Sequence, residues 1–264
     1  MPPQLPIENA HLRTAVAAAE HAAAIHRSNA DTTDDAEYKS RRDLVTEVDR
    51  TAERAVKSLI NERFPTHAIL GEESGQDGES TVRWIVDPLD GTTNYYHGIP
   101  HYGVSIALER RGCIDVGVIH HTPTGDTYTA VRGEGAYRNG ESVSVSLTDS
   151  VDASLVGTGF SPGTEPDEQL LAVLQSVVQH THGVRRLGSA TAELVAVANG
   201  TLDAYYRTNL SPWDTAAGIL LIEEAGGTVT DFHGTHENRR KTVLATNGEV
   251  HQEFEQFIRK RLDD

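Results

Sequence analysis

The chain has 264 residues, of which 39 are acidic and 23 are basic, so its formal net charge at pH 7 is −16. This length predicts one large domain or two small halves, and the acidic surplus argues against a nucleic-acid-binding surface, which needs positive charge to neutralise phosphates. One cysteine, Cys113, excludes an intramolecular disulfide and a cysteine-based zinc site. Because no apolar run approaches the roughly 18 residues of a membrane span, and residues 1–4 show no secretory signal, we expect a cytoplasmic protein that does not bind membranes.

The first half of the chain is typical of two helices followed by consecutive strands. The Ala-rich residues 8–28 predict a helix, and the charged residues 31–43 predict a loop. From Thr46, apolar residues at three- and four-residue spacing predict a second helix that ends at Pro65. Short β-branched or alternating runs then predict largely antiparallel strands, which are 68–70, 82–86, 102–109, 113–120 and 126–132.

After about residue 150 the pattern changes to an alternation of strands and helices. The predicted strands are 154–158, 184–187, 202–206 and 228–231. The predicted helices are 166–181, 189–200, 212–225 and 250–262. Strands in series followed by strand–helix alternation indicate a two-part α/β architecture. We expect an N-terminal half, 1–147, with a mainly antiparallel sheet, and a C-terminal α/β half, 148–264.

The most informative motif follows the predicted strand 82–86 and reads WIVDPLDGTTN. Pro88 restricts the backbone, which helps to keep Asp87 and Asp90 on one side of a tight turn, and Gly91 lets a ligand approach the backbone closely. Carboxylates bind hard cations, and the free N–H groups of a helix start bind phosphate oxygens. The motif therefore indicates a metal-bridged phosphate site, although alone it also fits an Asx turn whose aspartates cap the backbone.

Two other acidic motifs favour the metal-bridged phosphate site over the Asx turn. GEES over residues 71–74 follows a short apolar strand, and SPWDTAA over residues 211–217 is a helix start with Asp214 in its first turn. Each alone fits a helix cap or a solvated loop. Together the three motifs supply acids from the ends of different elements, which is how a divalent-metal site is usually assembled in an α/β protein.

The motifs taken together resemble the inositol monophosphatase family, a branch of the magnesium-dependent, lithium-sensitive sugar phosphatases. WIVDPLDGTTN and WDTAAG followed by EAGG carry the resemblance, and DLVTEVD, GEES, GEGAY with NG, and GSA support it. The motifs occur in the family's order and cover about residues 40–230. The resemblance implies a layered α-β-α-β-α sandwich of the α/β (α+β) class and a homodimer.

The resemblance also implies a role for each motif residue. The metal ligands are expected to be Glu72, Asp87, the backbone carbonyl of Leu89, Asp90 and Asp214. The catalytic pair that activates water is expected to be Asp49 and Thr92, and the phosphate is expected to bind the N–H groups of Gly91 and Thr92. Glu73 is expected to support the ligands from behind, and the substrate contacts are expected to be Gly188, Ser189, Ala190 and Arg207.

The expected cofactor follows from the charge of these ligands. Clustered carboxylates repel one another by on the order of 1 to several kcal/mol per pair, so they stay ionised only beside divalent cations. All-oxygen ligands select Mg²⁺, or Mn²⁺, over zinc, and we expect two or three ions. Two ions about 3.5–4 Å apart can clamp the attacking and leaving oxygens of an in-line displacement, so no protein nucleophile is required. Cys113 is accordingly interpreted as a core or interface thiol.

The expected substrate is inositol 1-phosphate, with alternatives left open by Arg207. In animal members of the family this position carries an acid that meets inositol hydroxyls, whereas a cation meets a second phosphate or pairs with an acid. The alternatives are fructose 1,6-bisphosphate cleaved at its 1-phosphate, alone or in addition, and a 3′-phosphoadenosine nucleotide. A non-catalytic dimeric regulatory protein is a third interpretation, and the intact set of motif acids argues against it.

The basic residues also bear on the source of the protein, because four are lysines and nineteen are arginines. A surplus of acid with almost no lysine is expected where high salt screens self-repulsion. We therefore predict a halophilic archaeon as the source. An ordinary acidic protein with a codon bias that favours arginine is the alternative interpretation.

Overall fold

The computed structural model of the chain describes residues 9–30, 36–40, 43–160, 168–237 and 239–262. Its helices are α1 (Ala10–Ser28), α2 (Glu47–Arg63), α3 (Thr92–Tyr96), α4 (Glu168–His180), α5 (Ala190–Ala198), α6 (Pro212–Glu224) and α7 (His251–Leu262). Its strands are β1 (Ala36–Ser40), β2 (Asp43–Thr46), β3 (Ala68–Gly71), β4 (Gly75–Asp77), β5 (Val82–Asp90), β6 (Gly103–Arg110), β7 (Cys113–His121), β8 (Asp126–Val131), β9 (Ala136–Arg138), β10 (Glu141–Ser142), β11 (Leu155–Thr158), β12 (Gly183–Arg185), β13 (Ala204–Arg207), β14 (Thr228–Thr230) and β15 (Val243–Thr246). Within these residues, no helix has the length and apolar content that a membrane crossing requires.

The strands form three sheets. β1 and β2 form an antiparallel pair. The large sheet has the order β10-β9-β8-β7-β6-β5-β3-β4 and is antiparallel except where β3 pairs with β5. The smaller sheet has the order β12-β11-β13-β15-β14, with parallel pairs on both sides of β11 and antiparallel pairs on both sides of β15. The one parallel pair of the large sheet brings the ends of β3 and β5 to the same edge.

Alternating side chains along the strands separate the layers of the molecule. On β5, Trp84 faces the core formed with α1 and α2, whereas Ile85 faces the core formed with α5 and α6. On β13, Tyr205 faces α5 and α6, whereas Tyr206 faces the core formed with α4 and α7. The layers therefore run α1/α2, large sheet, α5/α6, small sheet, α4/α7, which confirms the predicted α-β-α-β-α sandwich.

The middle layer is buried between the two sheets. Every residue of α5 is buried, as is the run from Thr215 to Ile222 on α6, and a helix that is apolar all round is expected in such a place. The two helices lie very close together, since a Cβ added at Gly218 would come within 2.6 Å of the Leu194 side chain. The layer that carries two of the functional motifs is thus rigidly packed.

Most predicted elements lie within a few residues of the observed ones. The short strands β2, β4, β9 and β10 were not predicted, and three further differences follow. The predicted loop 31–43 is wrong over β1, whose charged residues pair with β2. Strand β15 was not predicted, because its four residues follow a basic cluster without a longer alternating pattern. Cys113 is exposed beside the β6–β7 turn, opposite Arg110, so the core position is wrong and the interface position stays a prediction. Residues 8, 31–35, 41–42 and 166–167 of the predicted elements lie outside the described residues.

Candidate metal centre

The parallel pairing of β3 and β5 brings two acidic motifs together. Gly71 lies opposite Val86 in this ladder, so the next residues along the two strands are Glu72 and Asp87. The Glu72 N–H donates to the Val86 carbonyl oxygen at 3.2 Å, which continues the pairing past the end of β3. The β5–β6 register shifts between Asp87 and Asp90. Neighbouring strand ends thus present the acids of both motifs at one edge of the sheet.

Helix α6 adds the third motif. The Ser105 hydroxyl on β6 donates to the Trp213 carbonyl oxygen at 3.1 Å, which fixes the start of α6 against the large sheet. Asp87, Asp90 and Asp214 each offer a carboxylate oxygen, and these atoms lie within 4.8 Å of one another. Because metal–oxygen distances for hard cations are about 2.0–2.6 Å, this spacing fits oxygens that bind a shared ion or a close pair of ions.

The electrostatics of Asp87 also fit a divalent cation. Burial, reinforced by the charges of Glu72, Asp90 and Asp214, raises the pKa of the Asp87 carboxyl well above its usual range. A buried carboxyl surrounded by like charges either keeps a proton or needs a counter-charge. An all-oxygen set with this much negative charge matches the chemistry of Mg²⁺.

Asp90 is held by the start of α5. Its Oδ2 atom accepts hydrogen bonds from the Ser189 hydroxyl at 2.5 Å, the Thr191 N–H at 2.8 Å and the Thr191 hydroxyl at 2.6 Å. Three donors occupy that oxygen, so Oδ1 is the atom available to a cation. Ser189, expected at the substrate, thus contacts a proposed metal ligand, and Thr191 was not predicted from the sequence.

The expected catalytic pair is brought together across two elements. Asp49 is buried at the third position of α2, where its Oδ2 atom accepts hydrogen bonds from the Thr46 N–H at 2.8 Å and the Thr46 hydroxyl at 2.5 Å. Its Oδ1 atom accepts a hydrogen bond from the Thr92 hydroxyl at 3.0 Å, and that hydroxyl also lies 3.1 Å from the Leu89 carbonyl oxygen. The helix cap therefore fixes the carboxylate in the orientation that reaches Thr92.

A second acid of α2, Glu53, was missed by the sequence reasoning. It lies one helical turn after Asp49, is buried, and accepts hydrogen bonds from the Glu73 N–H at 2.7 Å and the Ser74 N–H at 3.0 Å. The Ser74 hydroxyl donates to the same carboxylate. An acid between the apolar Ala52 and Val56 was the available signal. Glu53 holds the segment that carries Glu72 in place.

The expected phosphate-binding and substrate-binding segments lie side by side. Gly91, at the start of α3, has a left-handed backbone with φ of 86°. A Cβ added there would lie 2.8 Å from the His101 carbonyl oxygen and 3.2 Å from the Ser189 Cβ. The Asn94 side-chain amide donates to the carbonyl oxygens of His101 and Leu187, each at 2.7 Å. Asn94 thus joins α3 to the segment that precedes Gly188, Ser189 and Ala190.

Arg207, which is partly buried, and Glu193 interact electrostatically beside this segment. The charge of Arg207, at the end of β13, interacts with Asp214 and Asp90. Glu193 is fully buried on α5, and its Oε1 accepts a hydrogen bond from the Leu187 N–H at 2.8 Å. Neither Glu193 Oε2 nor Arg207 Nε has a hydrogen-bond partner among the described residues. Burial raises the pKa of the Glu193 carboxyl to about 8.

The raised pKa of Glu193 predicts how stability depends on pH. The folded carboxyl has a pKa of about 8, against 4.5 for the ordinary group, so the folded chain holds a proton that the unfolded chain releases. The contribution of Glu193 to the unfolding free energy is therefore fully present below pH 4.5, and it is lost as the pH rises through 8. Between pH 6.5 and 8.5 the group should cost about 2 kcal/mol of unfolding free energy, whereas Glu193→Gln should remove that dependence. Urea unfolding in EDTA at the two pH values measures the unfolding free energy of both proteins. An equal change between pH 6.5 and 8.5 in the wild type and in Glu193→Gln would contradict the prediction.

Known proteins are similar to this chain in sequence and in fold. Residues 8–263 match the profile of the inositol monophosphatase family. A Nus factor SuhB of Pseudomonas aeruginosa is 44% identical over 206 residues, covering 75% of this chain and 76% of that protein. An inositol-1-monophosphatase of Rhizobium meliloti is 43% identical over 197 residues, 73% of each chain. The crystal structure of the extragenic suppressor protein SuhB from Bartonella henselae has a TM-score of 0.92 and 36% identity, covering 96% of this chain and 99% of that one.

These relatives identify the family of the chain but do not identify its source organism. All three come from bacteria, so they give no support to the predicted halophilic archaeon, which stays a prediction from composition. The family profile spans almost the whole chain, and the fold and motif order agree with it. The resemblance inferred from the sequence is confirmed: the chain belongs to the inositol monophosphatase family.

Proposed function

We propose that the chain is a Mg²⁺-dependent phosphomonoester hydrolase that releases phosphate from inositol 1-phosphate with water as the nucleophile. The observation that carries the proposal is the convergence of Asp87, Asp90 and Asp214 next to the hydrogen bond between Thr92 and Asp49. Membership of a family of metal-dependent phosphatases supports the reaction class. The choice of inositol 1-phosphate rests on the resemblance of the motifs.

In this proposal the cation ligands are those of the three acidic motifs. They are Glu72, Asp87, the carbonyl of Leu89, Asp90 and Asp214, and they would hold two or three Mg²⁺ ions, with Mn²⁺ as a substitute. Bound Mg²⁺ supplies positive charge that lowers the pKa of water and stabilises the charge that develops on the ester oxygen. The buried, mutually repelling carboxylates fit that group because their charge needs neutralising.

The remaining residues orient the reactants and move a proton. The Thr92 hydroxyl carries one proton, and donating it to Asp49 leaves the Thr92 oxygen able to accept a hydrogen bond from water. Asp49 is held by Thr46, so it stays in position to draw that proton away. The N–H groups of Gly91 and Thr92 lie in the first turn of α3, where backbone donors have no intrahelical acceptor. They would bind the phosphate oxygens.

The organic part of the substrate would meet the opposite wall of the site. We assign that wall to Gly188, Ser189, Ala190 and Arg207, with Glu73 supporting the ligands. The two halves 1–147 and 148–264 would then divide the work, since Glu72, Asp87 and Asp90 belong to the first and Asp214 to the second. We also propose a cytoplasmic homodimer, as the family resemblance implies.

A panel of phosphate esters tests the proposed reaction and its substrate. Phosphate release with Mg²⁺, at low and high salt, is compared for inositol 1-phosphate, fructose 1,6-bisphosphate and 3′-phosphoadenosine 5′-phosphate. Wild type is expected to act fastest on inositol 1-phosphate, and EDTA is expected to abolish release. Arg207→Glu reverses a partly buried charge, so it should lower release from the two substrates with a second phosphate by about tenfold or more relative to inositol 1-phosphate.

The matched control is Arg185→Glu, since Arg185 is exposed on β12. It should leave the ranking of substrates unchanged. Failure of the wild type to release phosphate from any of the three esters with Mg²⁺ or Mn²⁺ would overturn the proposed function. A higher rate on fructose 1,6-bisphosphate or on the nucleotide would replace inositol 1-phosphate by that substrate.

A second candidate function comes from the names of the relatives. Several of them, including the one from Pseudomonas aeruginosa, are named Nus factor SuhB, and such a role would use the surface of the protein rather than its acids. The intact metal-site acids favour catalysis for this chain. The test expresses the wild type and Asp90→Asn in a strain that lacks its own SuhB relative. Equal complementation by the two proteins would establish the surface role.

A further inference from the structure

His26 lies in the last turn of α1 and is fully buried against the metal loop. Its Nε2 atom is 2.9 Å from the Pro88 carbonyl oxygen, and its Nδ1 atom is 3.1 Å from the Thr122 hydroxyl. A carbonyl oxygen only accepts hydrogen bonds, so Nε2 must carry the proton and Nδ1 accepts from Thr122. Burial lowers the pKa of His26 to about 4, so the ring is neutral at pH 7. Its tautomer is therefore set by its two partners.

The Pro88 carbonyl and the Leu89 N–H are the two ends of one peptide group. The Leu89 N–H donates to the Asp87 Oδ1 atom at 3.1 Å. Because the peptide group is planar, a hydrogen bond at each end resists its rotation. The peptide lies between Asp87 and the Leu89 carbonyl, two of the proposed cation ligands. The orientation of this one peptide thus affects both.

His26 is a polar side chain in an otherwise mostly apolar buried helix face. The buried face of α1 is otherwise built largely from alanine, at Ala15, Ala18, Ala19, Ala22 and Ala23. A buried imidazole in such a face costs free energy unless its nitrogens are hydrogen-bonded. The Tyr95 hydroxyl of α3 donates to the His26 carbonyl oxygen at 2.9 Å. The last turn of α1 therefore contacts both the metal loop and the helix proposed to bind phosphate.

We propose that His26 is a positioning residue that sets the Mg²⁺ affinity of the site by holding the Pro88–Leu89 peptide in place. The proposal rests on the metal site assigned under the proposed function. His26 touches neither the cations nor the substrate in this scheme, so it acts on the ligands through the backbone.

Two substitutions separate positioning from simple packing. In His26→Gln the side-chain amide can take the place of Nε2–H and donate to Pro88, whereas in His26→Asn the shorter side chain replaces only the Nδ1 end. His26→Asn should raise the Mg²⁺ concentration for half-maximal phosphate release about 10–100-fold, with a smaller change in kcat. His26→Gln should stay much closer to the wild type. Calorimetric titration of the EDTA-treated full chain with Mn²⁺ should show the same order of affinities without relying on activity.

His251 on α7 provides the matched control, because it is also buried and also has a hydrogen-bond partner at each ring nitrogen, the Thr230 hydroxyl at 3.0 Å and the Thr246 hydroxyl at 2.9 Å. His251→Asn should lower the unfolding temperature and leave Mn²⁺ binding unchanged. If His26→Asn does not fold, Thr122→Val takes its place, since it removes the hydroxyl that orients the ring and should also weaken Mn²⁺ binding.

Each outcome has a separate meaning for the two proposals. Wild-type Mn²⁺ affinity in folded His26→Asn, or in Thr122→Val where the first variant does not fold, overturns the positioning role. Equal losses of affinity in His26→Asn and His26→Gln overturn it as well, because packing alone would then explain them. Normal Mn²⁺ binding by a wild type that releases no phosphate overturns the phosphatase proposal and leaves the role of His26 standing.

Discussion

An Asp90→Asn variant should lose nearly all phosphate release and keep its fold. The hydrogen-bonded oxygen of Asp90 accepts from Ser189 and Thr191, and an asparagine oxygen can take over that role. The amide group then replaces the oxygen proposed to face the cations, and an amide nitrogen is not a ligand for Mg²⁺. We expect kcat to fall about 10³-fold or more, which corresponds to roughly 4 kcal/mol of barrier.

The stability of Asp90→Asn distinguishes a lost ligand from a damaged fold. Without metal, its unfolding temperature should equal or exceed that of the wild type, since one of several clustered negative charges has been removed. Addition of Mg²⁺ should raise the unfolding temperature of the wild type and have little effect on the variant. Asp203→Asn is the control: Asp203 is a buried acid that accepts hydrogen bonds from Ser146 and Leu155, each at 2.6 Å. It should lose stability and retain kcat, whereas full activity in Asp90→Asn would refute the assigned site.

Removal of the Thr92 hydroxyl should lower kcat with little change in metal binding. Thr92 is proposed to pass a proton from water to Asp49, and general base catalysis of this kind contributes about 10²–10⁴-fold. Thr92→Ala should therefore reduce kcat by about 10²-fold or more. The Mg²⁺ concentration for half-maximal activity should stay within a few-fold of the wild type, because the carboxylate ligands remain.

Two matched variants test whether the hydroxyl itself is responsible. Thr92→Ser keeps a hydroxyl near Asp49 and should recover most of the rate. Thr93→Ala changes the neighbouring threonine, which is exposed, and should have no effect on kcat. An unchanged kcat in Thr92→Ala would remove Thr92 from the reaction, and a loss of Mg²⁺ binding in that variant would make it a metal-loop residue instead.

Sequence alone predicts much of this fold because local patterns coincide with tertiary layers. The alternation of Trp84 and Ile85 indicates a strand with two buried faces, and the structure places one helical layer on each face. Elements with a weak local pattern are not predicted from the sequence. Strand β15 lies inside the small sheet only because β13 and β14 flank it, and no local signal shows that pairing.

The residues of the candidate site also differ in whether a local sequence pattern reveals them. Acids next to turn residues, such as Asp87 and Asp90, are visible as a motif because their spacing is local. Glu53 and His26 act on the motif from distant positions, Glu53 through the backbone N–H groups of residues 73 and 74 and His26 through a carbonyl 62 positions along the chain. Such contacts depend on how the layers stack, and a single sequence does not show that.

The crowding around Gly91 limits how the protein can change during evolution. A side chain at this position would collide with the His101 backbone and with Ser189, so the amides beside it cannot be tuned by substitution there. The wall proposed to meet the organic part of the substrate, in contrast, includes the side chain of Arg207, which a single substitution can replace. Under the proposed function, descendants of this protein could acquire new substrates through that wall, while the proposed phosphate-binding end, and with it the reaction, stays as it is.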